Sequence, residues 1–75
     1  MLRTLSDLPA GTQSTVRRLR GGRWFASRMA TLGFTIGVSV TVVQNYRHGP
    51  MIVRVRDTRV ALGRGEARKV LVEVS

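Results

Sequence analysis

The sequence predicts a small, mostly β protein whose sheet curls into a barrel with one helix laid across it. Three observations lead there. Valines concentrate between Val38 and Val74, and β-branched side chains fit the pleated, half-buried surface of a strand. From Val38 onward apolar and polar residues alternate with period two, as strands with one inward face require. A single segment, Arg23 to Leu32, has helical spacing instead, with Phe25, Met29 and Leu32 at i, i+4 and i+7.

The elements follow in order. Leu5 to Gly11 reads as an opening turn, because Pro9 fixes its own φ and biases Leu8 away from helix. Ser14 to Leu19 reads as a short strand, broken by Gly21-Gly22. After the helix, Gly33 occupies the place of a left-handed C-terminal cap, letting Phe34 fold back on the last turn. Thr35-Ile36-Gly37-Val38 has glycine third, where a type II turn needs positive φ. Val38, Val40 and Val42 then share one face, and Ser39, Thr41, Val43 and Asn45 the other. Arg47-His48-Gly49-Pro50 reverses the chain, Met51, Val53 and Val55 point inward, and Arg54 and Arg56 point outward. Asp57-Thr58 is expected to make the next reversal, after which Val60 and Leu62 continue the pattern. Gly63 to Arg68 suffices for one helical turn, and Val70, Val72 and Val74 alternate with Leu71 and Glu73 to the end. Small open sheets leave long unpaired edges, which closure removes. The expectation is one domain over residues 1–75: a five-stranded SH3-like barrel with an inserted helix over about 23–32 and a helical turn over about 63–68.

Composition narrows the function. The 75 residues include no cysteine, so disulfides and thiolate metal ligands are excluded. Thirteen basic residues against four acidic ones give +9 at pH 7, which suits a polyanionic partner. The basic residues are scattered singly rather than gathered in a block, which argues for a solvated surface. No apolar run approaches the roughly 20 residues of a membrane span. The segment from Met1 to Asp7 lacks a basic and then apolar leader. A cytoplasmic protein without membrane insertion is expected.

Catalysis finds little material. Asp7, Asp57, Glu66 and Glu73 are dispersed, and His48, the one histidine, has no carboxylate near it in sequence. The protein is expected not to be an enzyme. His48 is also the one candidate metal ligand, but ferrous iron favours clusters of histidine and carboxylate, so no dedicated metal or cofactor site is expected. Gly63-Arg64-Gly65 lacks the spacing of a phosphate loop. Interaction has more support. Trp24 and Met29 on the helix, Ile36 in its turn, Tyr46 at a strand end, and Ile52 and Leu71 on outward strand positions are the candidate partner contacts. Arg54 and Arg56 would rim them and speed encounter with an acidic partner.

Taken in order, these fragments resemble the FeoA family over nearly the whole chain. The residues that carry the resemblance are Leu5, Leu8 and Gly11; Val16, Leu19 and Gly21-Gly22; Arg28-Met29 and Leu32-Gly33-Phe34; Gly37-Val38 and Val40; Gly49-Pro50; Val53 and Val55; Val60-Ala61-Leu62; and Glu66-Ala67 before Val70 and Val72. The chain departs from the family at Ile36, where proline is usual, and at Asp57-Thr58, where many members have glycine. Both replacements remain compatible with their turns. The resemblance implies an SH3-like barrel in the cytoplasm that supports ferrous iron uptake. It would act as an accessory or regulatory protein on FeoB, a membrane transporter with a cytosolic GTPase domain. Two alternatives stand beside it. The charge supports a nucleic-acid-binding barrel, although Tyr46 and Phe34 do not make a stacking platform on adjacent strands. His48 supports a metal-responsive regulatory module, since similar barrels end some metal-responsive repressors. Exposed strand edges would also allow weak self-association.

Overall fold

A computed structural model describes residues 1–75 as six strands, two helices and a short 3-10 turn. Strand β1 (Leu2–Thr4) leads through the turn Leu5–Asp7 to β2 (Gln13–Leu19) and helix α1 (Gly22–Thr31). Strands β3 (Ser39–Gln44), β4 (Met51–Val55) and β5 (Thr58–Leu62) follow, then helix α2 (Arg64–Ala67) and β6 (Val70–Val74). One sheet holds all six strands in the order β1-β6-β2-β3-β4-β5. Every pairing is antiparallel. The expected strand count was five. The sixth is β1, whose three residues pair with β6 from Leu2 opposite Glu73 to Thr4 opposite Leu71. The seam is also open, leaving β1 and β5 as edges rather than closing the ring with hydrogen bonds.

The alternation read in the sequence sets the inside of the curled sheet. Val16, Val40, Val42, Met51, Val53, Val55, Leu62, Val70 and Val72 are buried. Leu5, Leu8, Phe25, Met29, Phe34 and Ala67 complete the core from the turn, the helices and the connection after α1. Register shifts between Val16 and Arg18, and between Val42 and Gln44, mark bulges in β2 and β3. Each extra residue bends its strand and increases the local twist, helping a small sheet wrap around its contents.

Helix α1 begins after Gly21, where a Cβ would lie 2.5 Å from the Phe25 Cβ and Cγ. Only a residue without a side chain lets the inward Phe25 approach the chain there. At the other end Gly33 has φ +100°. Its amide donates to the Ala30 carbonyl and that of Phe34 to the Met29 carbonyl, both at 2.9 Å. This is a Schellman cap, and it turns Phe34 into the core. The turn at Thr35–Val38 has its predicted glycine at φ +93°, with the Val38 amide donating to the Thr35 carbonyl at 3.1 Å. The later reversal is centred one residue earlier than expected. Val55 pairs with Thr58, so Arg56 and Asp57 form the two-residue loop, at φ 51° and 63°. Positive φ at both positions is the type I′ geometry, whose twist matches that of the flanking strands.

Candidate functional site

Strand β4 joins two ends of the molecule with different chemistry. At the end where β4 begins, Asn45 binds the chain to itself. Its Nδ2 donates to the carbonyls of Ser6 (3.0 Å) and Leu8 (2.8 Å). Its Oδ1 accepts from the Arg47 amide (3.1 Å) and Arg64 Nη1 (2.9 Å). Arg64 Nη2 donates in turn to the Ser6 carbonyl (2.8 Å). This partly buried clasp ties the turn after β1, the connection from β3 to β4, and α2 together. The alternating pattern had placed Asn45 on the outward phase, and Arg64 carried no assignment. Their partners lie up to 58 positions away in sequence, beyond any local signal. Tyr46 and His48 stand exposed in the connection that the clasp secures. No three His, Cys, Asp or Glu side chains come together to hold a metal.

At the end where β4 runs into β5, the arrangement is the reverse. Arg54 and Arg59 lie directly opposite each other on adjacent strands, a pairing of like charges that costs stability. The ion pairs in the protein are Arg17–Glu73 and Arg28–Glu66, so neither Arg54 nor Arg59 has an acidic partner. Arg56 was expected to join the free rim but folds over the end of α1. Its Nε donates to the Gly33 carbonyl (3.3 Å) and its Nη2 to the Thr35 hydroxyl (3.2 Å). A cleft of about 490 Å³ opens between the end of α1 and β5, with Ala30, Leu32, Val55 and Val60 supplying its apolar lining. Ser39, Thr41, Arg54, Arg56 and Asp57 line a smaller polar hollow on the other side of the hairpin.

The predicted contact residues separate accordingly. Trp24 (77% exposed), Ile36 (60%) and Tyr46 (70%) are open to solvent, whereas Ile52 and Leu71 are half-buried. Ile36 adjoins the Arg56 hairpin, but Tyr46 is at the clasp end, so the set does not form one patch. Met29 must be withdrawn from it. Its side chain is 0% exposed, and the helical stripe that nominated it is the stripe that fills the core. Phe34 is equally buried, so it offers no exposed ring beside Tyr46 on which a base could stack.

Three of the four acidic groups, all but Asp57 in the hairpin loop, are occupied structurally. Glu73 accepts from Arg17 Nε at 3.0 Å, and Asp7 from the Thr4 hydroxyl at 3.3 Å. Glu66 joins the two helices: Oε2 accepts from Arg28 Nε at 2.8 Å, and Oε1 from the Gly63 amide at 3.3 Å. The Arg28 hydrogen bond holds its carboxyl below the ordinary value, against the opposing effect of partial burial, and the Gly63 amide assists. Lys69 sits over the Phe25 ring, 5.3 Å from its centre.

This architecture can be set beside known proteins. Residues 3–74 match the family described as the FeoA domain. The chain belongs to the FeoA family. It superimposes on a crystal structure described as the iron uptake regulatory protein FeoA with a TM-score of 0.95 at 29% identity, covering the whole of both chains. It is similar to Stenotrophomonas maltophilia FeoA, a structure described as a procaryotic SH3 domain protein complexed with zinc. The TM-score is 0.82 at 34% identity, over 95% of this chain and 89% of that one. It is 37% identical over 71 residues to a Porphyromonas gingivalis fusion of Fe(2+) transport protein A and the Fe(2+) transporter FeoB. That match takes in 93% of this chain but 8% of the fusion protein. As in other FeoA domains, the fold is an SH3-like sheet, and the family role is that of an accessory protein in ferrous iron transport. No helix is long and apolar enough to cross a membrane.

Proposed function

We infer that this FeoA protein works in the cytoplasm as a non-enzymatic accessory of ferrous iron uptake, docking on the cytosolic part of a FeoB-like transporter. The observation that carries the reading is the Porphyromonas gingivalis fusion, in which the two modules belong to one polypeptide. Covalent linkage of this kind raises the effective concentration of two partners that otherwise meet by diffusion. The surface fits a protein partner. Trp24 is a large exposed aromatic on a helix whose inner face is already committed to the core, and such side chains are favoured interface anchors. The +9 charge would accelerate encounter with an acidic face.

The test is co-expression with a FeoB-like transporter, followed by capture through a tag on the smaller protein and by measurement of ferrous iron uptake. Capture and stimulated uptake are expected, both weakened by Trp24→Ala in a protein that remains folded. Unchanged uptake without capture would remove the transporter from the account, and full capture by folded Trp24→Ala would remove the anchor.

A further inference from the structure

The edge strand β5 has an unused half. Val55 pairs with Thr58 across the two-residue loop, and Val53 pairs with Val60. In that register the backbone groups of Thr58, Val60 and Leu62 face β4, and those of Arg59 and Ala61 face away. No strand lies beyond β5 in the sheet. No backbone hydrogen bond from a turn, loop or cap reaches Arg59 or Ala61 either. The other edge, β1, is only three residues long and has no cleft beside it.

Two further features coincide with this edge. The cleft between the end of α1 and β5 gives one side an apolar floor, with Ala30, Leu32 and Val60 among its lining. On the opposite side stand the cross-strand arginines Arg54 and Arg59, which lack an acidic partner within the chain. Side chains of a strand alternate between the two faces of a sheet. A strand laid beside β5 would therefore put every second residue over the cleft and the intervening ones beside Arg59.

We propose that β5 is a docking edge for an extended segment of the partner protein in which apolar and acidic residues alternate. The segment adds a seventh strand through the outward groups of Arg59 and Ala61, seats its apolar residues over the α1–β5 cleft, and supplies the carboxylates that Arg54 and Arg59 lack. Main-chain bonds give such a complex its affinity, and the alternate side chains its selectivity. The proposal rests on the partner-docking reading above and names the surface and the chemistry of what it takes.

The test uses the full chain, labelled with nitrogen-15, and a capped peptide of four Val-Glu repeats, with four Val-Lys repeats as the control. The Val-Glu peptide is expected to shift the amide resonances of β5 and to slow hydrogen exchange at Arg59 and Ala61 by tenfold or more, about the protection that one occupied edge bond confers. The Val-Lys peptide should do neither. Ala61→Pro removes one outward donor, at a strand edge that tolerates proline, and should abolish binding. Because that variant could misfold, Arg54→Ala combined with Arg59→Ala serves as the second, expected to weaken binding by about tenfold as two exposed charge pairs are lost. Shifts centred elsewhere, or equal binding of the Val-Lys peptide, would overturn the proposal. So would protection of Arg59 and Ala61 that rises with protein concentration before any peptide is added, since a second copy would then occupy the edge. The peptide experiment contains no transporter. Its failure with capture intact removes the edge site alone, while loss of capture with peptide binding intact removes the transporter.

Discussion

The two ends of β4 handle polar groups in opposite ways. At the clasp end, Asn45 and Arg64 spend their donors and acceptors on the protein's own carbonyls and amides, partly shielded from water. At the hairpin end, two arginines face each other without a counter-charge and an edge strand is left uncapped. The first arrangement gains stability from bonds that water cannot easily replace. The second leaves like charges opposed and edge groups unpaired. Polar groups are thus committed at one end of the strand and left open at the other, and substitutions should separate the two ends.

The largest effect marks the boundary between core and surface. Met29→Ala should lower the unfolding free energy by about 2–5 kcal/mol, the range for removing a fully buried side chain, measured by chemical denaturation. A loss below about 1 kcal/mol would return Met29 to the list of surface contacts. Next comes the clasp. Asn45→Ala leaves the Leu8 carbonyl without its partner and Arg64 Nη1 with only its 3.4 Å bond to the Gly49 carbonyl, and should cost about 2 kcal/mol. Hydrogen exchange should then speed up first in the turn after β1 and in residues 46–50. Uniform acceleration across the sheet would mean that Asn45 does not act as a local clasp.

The tie between the helices should be smaller and dependent on pH. Because Glu66 titrates below its ordinary value of 4.5 in the folded protein, the unfolded state takes up the proton first on acidification. The stabilisation is therefore complete above 4.5 and fades as the pH falls through the lowered folded value. Glu66→Gln should cost about 0.5–1 kcal/mol at pH 7, a figure held down by the half-exposed Arg28. The gap from the parent should narrow as the pH falls below 4.5 and close once the lowered folded value has been passed. A gap that widens in acid would reverse the assignment. The smallest effect belongs to Arg56→Ala, about 0.5 kcal/mol, because water can replace both of its bonds. A loss above 2 kcal/mol would show that the hairpin end is clasped as firmly as the other.

The same contrast explains what was legible in the sequence. The valine alternation located β3 to β6, the stripe from Phe25 to Leu32 located α1, and Gly33 and Gly37 marked their turns, because each signal lies within a few residues of its cause. Strand β1 was missed since three residues cannot display a period, and its partner lies at the far end of the chain. The reversal at Arg56-Asp57 was placed one residue late because neither residue is the glycine that normally announces positive φ. Asn45 and Arg64 were invisible as a pair, since only the folded sheet brings them together. Met29 was read twice, as core and as contact. Helical spacing reveals which residues share a face and leaves open whether another layer covers it.

Pairing of β1 with β6 has a consequence for how such a unit can be used. Leu2 stands opposite Glu73, so polypeptide enters and leaves the fold at one corner. A unit wired this way can be attached through either terminus, or set as a bead within a longer protein, without its neighbours having to cross the sheet.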